Sequence, residues 1–524
     1  MQKVLKIQRF APLRQGAKKF ALVLALVLRT AALLLVGAGA AVQAAGGSGA
    51  LPAELAQALE RARVAQDDVA FWVAPAGSGR PVLSLNADRA VQPASTVKLV
   101  TTLAALDLLG PAYTWKTRWS ARAMPDAAGL VRGLTIEGGG DPWYVIERLW
   151  LAAQRLSALG VRTIEGDIAV DRSLFDLAAY TQGEFDGQRT RPYNVGPDAA
   201  MVSFKSVSLD ITPVKGQASA RVTALPQLSG VRFPQTVRTV AGPCGDWRSR
   251  LKMDVSNPRS IRFSGVYPEA CGQKSLHLSL WSADEYFTRA LAHVLSQSGI
   301  AWKGRVRDAG PRGAAARSGA GVLLYEDVSA PLVQSVYWTN KFSNNPMARQ
   351  LFLSLSLPDG AEGAQGAASL EKSRRVLQEW LTRRVGVRPG EIVVDNGSGL
   401  SRTARVTARA MGELLSYGFR SAVMPEFMAS LPVTGVDGTM KRRPLEGGVG
   451  HIKTGLLSNV RSAAGYIADN AGRRWSVVAV INADPMPAGA QRATQALLQW
   501  CASGGARRAF EQSLSGGNGG AGAK

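Results

Sequence analysis

The spacing of apolar positions changes several times along the chain, and each change marks an element. Leu51, Leu55, Leu59 and Ala62 recur at helical intervals, which predicts an amphipathic helix over 51–63. Residues 68–74 and 81–85 read as strands, and Ala76-Gly77-Ser78-Gly79 between them reads as a hairpin turn. From Pro93 to Gly110 the pattern is apolar nearly all round (Val97, Leu99, Val100, Leu103 to Leu106, Leu108, Leu109). A helix of that kind is sheathed by other elements, and Gly110 is placed to end it. Past Pro111 come strands rich in Trp, Thr and Arg, a sharp turn at 138–142, and a helix over 144–159. Residues 163–264 read as short β-segments, among them 206–213, 218–225 and 231–240. A helix at 281–299 and a Gly/Ala/Arg-rich linker at 309–321 lead to helices at 331–338, 345–355, 370–385 and 407–417. Strands at 452–457, 463–469 and 475–482 form a predicted antiparallel meander, and a last helix at 489–502 precedes a Gly/Ser-rich tail read as disordered. Strands early and late, with helices between, predict one α/β domain built from both ends of the chain, its middle an insertion.

Composition narrows the class. With 46% hydrophobic and 19% charged residues the chain is globular, and 524 residues call for two or three domains. Residues 1–44 differ: six Lys and Arg residues from Lys3 to Lys19 precede apolar runs at 20–28 and 31–41, and Val42-Gln43-Ala44 offers small residues at a signal-peptidase site. This predicts export to the periplasm with cleavage after Ala44, Ala40 being the second choice and an uncleaved anchor the structural alternative. The net charge of +23 suits an anionic partner. Export disfavours nucleic acid and points to peripheral association with wall polymer or lipid headgroups. An oxidising compartment would let Cys244 and Cys271 pair, leaving Cys501 as a buried free thiol. The three cysteines and three scattered histidines fit no zinc pattern, so no metal or other cofactor is expected. Scarce histidine and the lack of a Gly-x-Ser-x-Gly elbow also argue against a Ser-His-Asp triad.

The chemistry lies in three short stretches. Ser95 and Lys98 stand three apart at the start of the apolar helix, one turn from each other on one face. A serine there with a desolvated lysine beside it is an activated nucleophile. Ser343-Asn344-Asn345 sits just before a helix, and Lys453-Thr454-Gly455-Leu456 on a strand entering the final meander. Ser-x-x-Lys, Ser-x-Asn and Lys-Thr-Gly in this order resemble the motif set of penicillin-binding proteins and class A β-lactamases. In such a site Ser95 attacks a carbonyl and Lys98 takes its proton, while Ser343 and Lys453 relay a proton to the leaving amine. Asn345 holds the substrate amide, Thr454 and Lys453 meet a terminal carboxylate, and backbone N–H groups of Ser95 and Leu456 form the oxyanion hole. Gly455 lets the strand backbone approach the substrate.

From about Leu51 to Ala502 the chain resembles the D-alanyl-D-alanine carboxypeptidases/endopeptidases of the low-molecular-mass, class C penicillin-binding proteins, peptidase family S13. Further phrases carrying the likeness are Gly140-Asp141-Pro142, Gly166-Asp167, Asp171 to Phe175, Gly397 to Arg402 and Gly435-Val436-Asp437-Gly438-Thr439. The resemblance implies a penicillin-binding/β-lactamase-like transpeptidase domain, an antiparallel sheet flanked by helices. It would comprise 45–110 with 315–505. An inserted domain II, 111–165 with 263–314, would enclose a β-rich domain III at 166–262, and 506–524 would be the tail. It further implies peptidoglycan stem peptides as substrate, β-lactams as covalent inhibitors, and a side-chain pocket formed by Asp171, Phe175 and Arg402. Asn344 stands where Asp is common and Leu456 where Ser or Thr is frequent, departures that bear on substrate preference. The competing readings are a β-lactamase or D-esterase on the same fold, disfavoured by the long insertion and the lack of a Glu-x-x-Leu-Asn segment, and a vestigial wall-binding protein, disfavoured by three intact motifs.

Overall fold

The predicted strands and the apolar helix become one layered unit in the computed structural model, which describes residues 51–177, 180–310, 321–357 and 366–515. The predicted leader, most of the 309–321 linker and residues 516–524 lie outside them. Five antiparallel strands make the central sheet, in the spatial order Leu83–Leu85, Val69–Pro75, Arg474–Asn482, Val460–Ala468, Val449–Leu457. Both ends of the chain thus contribute strands to it, as the early and late strand segments predict. Successive side chains point to opposite faces. Ala70, Trp72, Tyr466, Val478 and Val480 join a core with the Lys98–Leu109 helix and helices of the second half. Val69, Phe71, Ile467, Val477 and Ala479 join another with the Ala53–Ala62 and Ala490–Ala502 helices. Helices on both faces explain why these strands are apolar almost throughout. This is the predicted α/β class.

The segment between Leu109 and Leu332 builds sheets of its own around one continuous core that runs from Trp119 to Leu324. Sheet membership moves three of the expected boundaries. Val322–Val328 pairs with Lys116–Ala121, so the inserted sheet ends after 315, and the chain rejoins the catalytic helices at Leu332–Phe342. Ile168–Asp171 pairs with Thr135–Glu137 and Val306–Asp308, and therefore belongs to the outer inserted sheet, not to the nested part. Lys274–Leu278 pairs with Val207–Pro213, extending the nested β-part past 262. Each shift arises because a long-range strand partner, invisible locally, decides which sheet a short strand joins.

Cys244 and Cys271 are bonded, with 27 residues of separation. Closing a loop of that length constrains the unfolded chain by about 3 kcal/mol. The double variant Cys244→Ser/Cys271→Ser is therefore expected to unfold at lower denaturant concentration, whereas loss of Cys501, a buried free thiol, should not mimic it. Residues 505–515 correct the disordered-tail expectation: they form the helix Gly505–Ser515. Ala506 is buried there, and the Phe510 ring lies 6.3 Å from the Trp475 ring with the Arg473 guanidinium over it, so apolar contact outweighs the local Gly/Ser composition. Among the described residues no helix is long and apolar enough to cross a membrane.

Candidate active site

The edge strand Val449–Leu457, the start of the apolar helix and the junction of two second-half helices converge on one cleft of about 790 Å³. The nucleophile turn is held in an uncommon conformation. Ala94 has φ +48°, and Ala94–Val97 is a tight 3₁₀ turn that continues into the helix Lys98–Leu109. Such a φ is costly for a residue with a Cβ and persists only where neighbours fix it. Here Thr96 Oγ1 and Ser462 Oγ both donate to Pro93 O, at 2.6 and 2.7 Å. Gly399 passes so close that a Cβ on it would stand 1.9 Å from Ala94 O. Gly455 is equally constrained, since its Cβ would lie 2.2 Å from Ser462 Oγ and 2.9 Å from Ser95 N. Gly455→Ala is expected to displace the serine turn from the strand and lower kcat about 100-fold, measured as turnover, because an ångström-scale misplacement of reacting groups carries that cost.

Lys98 is fully buried, and its Nζ lies 3.0 Å from Ser95 Oγ, 2.7 Å from Asn345 Oδ1 and in hydrogen-bond contact with Ser398 O. Burial, then the charges of Lys453 and Arg349, push its pKa well below the ordinary lysine value. Two of the three neighbours are carbonyl-type oxygens that can only accept. In its neutral form the amine has two N–H donors, which go to Asn345 and Ser398, and its lone pair then faces the Ser95 hydroxyl, which donates to it. The packing thus sets up a base with its free electron pair aimed at the nucleophile.

Ser343 is the left-handed residue (φ +57°) joining the Leu332–Phe342 and Asn345–Ser354 helices. Asn344 accepts from Met347 N at 3.0 Å as the N-cap of the second helix, a role Asn and Asp fill equally well, which accounts for the departure at this position. Asn345 does more than face substrate: its Oδ1 holds Lys98, and its Nδ2 gives one N–H to Tyr193 O at 3.2 Å. Across the cleft, the buried Lys453 Nζ donates to Ser343 Oγ at 2.9 Å and to Thr454 O at 2.8 Å. Burial lowers the Lys453 pKa to about 7, so near neutral pH it is only partly protonated. Thr454 Oγ1 donates to Thr439 Oγ1 at 2.8 Å.

Ser95, Ser343, Asn345, Thr454, Gly455, Leu456 and Arg402 line the cleft, with Lys98 and Lys453 buried behind them. Asp171 and Phe175 do not, which corrects the expected pocket. Asp171 is buried at the end of a strand in the inserted sheet, its Oδ1 accepting from Ser173 N at 2.8 Å. Phe175 is buried among Leu174, Ala199, Leu353 and Ala368, where its apolar ring binds the insertion to the Asn345–Ser354 helix. The cleft wall near Arg402 is instead formed by Phe185, Asp186 and Tyr193. The Arg402 guanidinium lies 4.2 Å from the Phe185 ring centre, and Asp186 accepts from Tyr193 Oη at 2.8 Å. Nothing local in the sequence marks this loop. Arg349 is different: one turn after Asn345, it donates to Tyr193 O and Val195 O, and its helical spacing was a readable signal.

A serine beside a buried lysine, faced by a second Ser–Lys pair along a sheet edge, defines a serine-type acyl-transfer hydrolase of the penicillin-binding/β-lactamase-like fold. More particularly, the chain belongs to the D-Ala-D-Ala carboxypeptidase 3 (S13) family, whose profile matches residues 51–503. A D-alanyl-D-alanine carboxypeptidase of Actinomadura sp. strain R39 is 28% identical over 92% of this chain and 90% of its own length. D-alanyl-D-alanine carboxypeptidase DacB of Haemophilus influenzae is 24% identical over 74% of this chain and 80% of its own. The crystal structure of penicillin binding protein 4 (dacB) from H. influenzae superposes with a TM-score of 0.65 at 21% identity, covering 84% of this chain and 98% of that one.

Proposed function

We propose that this protein is an exported serine D-Ala-D-Ala carboxypeptidase that trims peptidoglycan stem peptides, also cuts D-Ala–diaminopimelate cross-links, and is acylated by penicillins. The observation that carries the mechanism is the Lys98 amine, 3.0 Å from Ser95 Oγ with both its N–H groups committed elsewhere. Ser95 Oγ attacks the penultimate D-Ala carbonyl as its proton passes to Lys98. The backbone N–H groups of Ser95 and Leu456 receive the oxyanion, and the second N–H of Asn345 Nδ2 meets a substrate carbonyl. The Ser343 hydroxyl passes a proton to the departing amine and is re-protonated from Lys453. Lys98 then gives up the proton it took, Lys453 regains one through solvent, and water attacks the acyl-Ser95 ester with the neutral Lys98 as base; Lys98 returns that proton to Ser95 Oγ as the shortened peptide leaves. Arg402, beside Asp186, is proposed to meet the charged side chain of the third stem residue, with Asp186 in the part first read for Asp171.

Mass spectrometry of peptidoglycan fragments tests the activity. Loss of one Ala from pentapeptide establishes the carboxypeptidase, and conversion of cross-linked dimers to monomers establishes the endopeptidase. Penicillin turnover faster than D-Ala release would favour the β-lactamase reading, and peptidoglycan binding without D-Ala release the vestigial one.

A further inference from the structure

The leaving group of this reaction carries a carboxylate next to its amine, and that anion needs a cation. Lys453 is poorly placed to serve: it is fully buried, two of its donors are held by Ser343 Oγ and Thr454 O, and it is only partly charged near neutral pH. Three arginines line the cleft. Arg402 covers the Phe185 ring and donates to Phe185 O at 3.4 Å. Arg461 gives Nη1 to Leu457 O at 2.6 Å and Val460 O at 2.8 Å. Arg443 is the exception. Among the described residues its guanidinium has no hydrogen-bond or ion-pair partner, yet it is half-buried in the cleft wall, and burial lowers its pKa.

A guanidinium stays charged at any pH of interest, so a desolvated one without a partner is a standing electrostatic cost that a bound anion relieves. Arg443 follows directly from the Gly438–Met440 turn, to which its backbone N–H is tied through Met440 O at 2.9 Å. That turn carries Thr439, whose hydroxyl holds Thr454 Oγ1 at 2.8 Å. The turn is itself pinned to the Ser343 junction: Lys341 Nζ bonds Asp437 Oδ2 at 2.6 Å and Leu431 O at 2.7 Å. One braced segment therefore presents Thr439, through it Thr454, and Arg443 to the same cleft.

We infer that Arg443 is the residue that binds the α-carboxylate of the departing D-amino acid, with the Thr454 and Thr439 hydroxyls beside it. This rests on the carboxypeptidase reading and deepens it. The same contact would serve a cross-link, because the D-centre released from it also bears a carboxylate adjacent to the amine.

The test uses a matched pair of substrates, an acylated D-Ala-D-Ala with a free carboxylate and its C-terminal amide, with the full-length protein. Arg443→Gln is expected to lower kcat/KM about 10- to 100-fold for the acid, mainly through KM, and to leave the amide within about twofold, since charge-assisted bonds carry that much. Arg443→Lys should restore part of the acid preference. Equal losses on acid and amide would assign Arg443 a purely structural role and overturn the inference, as would unchanged kinetics on the acid. Wild-type protein that releases no D-Ala from the acid would instead overturn the carboxypeptidase reading itself, so the two failures are distinguishable.

Discussion

Replacing Ser95 by alanine is expected to remove covalent labelling by penicillin entirely and to lower D-Ala release about 10⁶-fold, the loss typical when the nucleophile of a cooperating site is deleted. The fold should survive, because Ser95 is only half-buried and its side chain has Lys98 as its hydrogen-bond partner. Labelled penicillin and intact-mass spectrometry check this, with a thermal unfolding curve as control. A stable acyl-enzyme in the Ser95→Ala variant would sink the assignment of the nucleophile. Ser343→Ala serves as the contrast: it should slow turnover yet still acylate, because it passes a proton and forms no bond to carbon.

Lys98 carries the second large effect, and here charge and basicity can be separated. Lys98→Met removes the amine and its lone pair. Lys98→Arg puts a permanent cation in its place, with no lone pair to accept the Ser95 proton. Both variants are expected to lose about 10²- to 10⁴-fold in acylation rate, the usual contribution of a general base. Near-normal rates in the arginine variant would mean that the site needs only charge at this position.

The pH profile follows from the same two lysines. Acylation should rise with pH as Lys98, its pKa held down by burial and by the charges of Lys453 and Arg349, loses its proton. It should fall again above about 7, where Lys453 loses the proton that supports Ser343. Lys453→Met removes one of the charges that depress Lys98, so the Lys98 pKa should rise and the ascending limb should move to higher pH. An ascending limb that stays in place in Lys453→Met would show that the two groups are not coupled. The same substitution is expected to leave the protein at least as stable at neutral pH. A buried lysine whose folded pKa lies below its unfolded value costs stability at every pH below the unfolded pKa, and a methionine of similar length removes that cost.

Much of this was legible in the residues. Short apolar runs bounded by turn residues at 68–74, 463–469 and 475–482 marked strands of the central sheet, because a strand covered on both faces buries nearly every side chain. The run from Leu99 to Leu106, apolar but for Thr101 and Thr102, required a sheathed helix, and all of those residues are buried. Ser95 and Lys98 had to meet, since a three-residue interval on a helical turn fixes their separation whatever the rest of the chain does. Where the structure corrected these readings, the missing information was long-range. Asp171 and Phe175 have the right chemistry, but strand pairing and the apolar contact with Leu353 carried them into the insertion's packing. Gly505–Ser515 reads as tail until Trp475 supplies a surface for Phe510.

By itself, then, the sequence determined the reacting groups and their local pairs, because those depend on residue type and on spacings of a few positions. Only the tertiary structure decided that Ser95, Ser343 and Lys453 share one cleft, since more than two hundred residues of insertion separate the first from the second. It also decided the ionisation of the two lysines, because desolvation is set by everything packed around an amine and by no neighbour in the chain. For the same reason it alone sets Arg443 apart: a guanidinium with no partner among the described residues can be recognised only once their acceptors are placed.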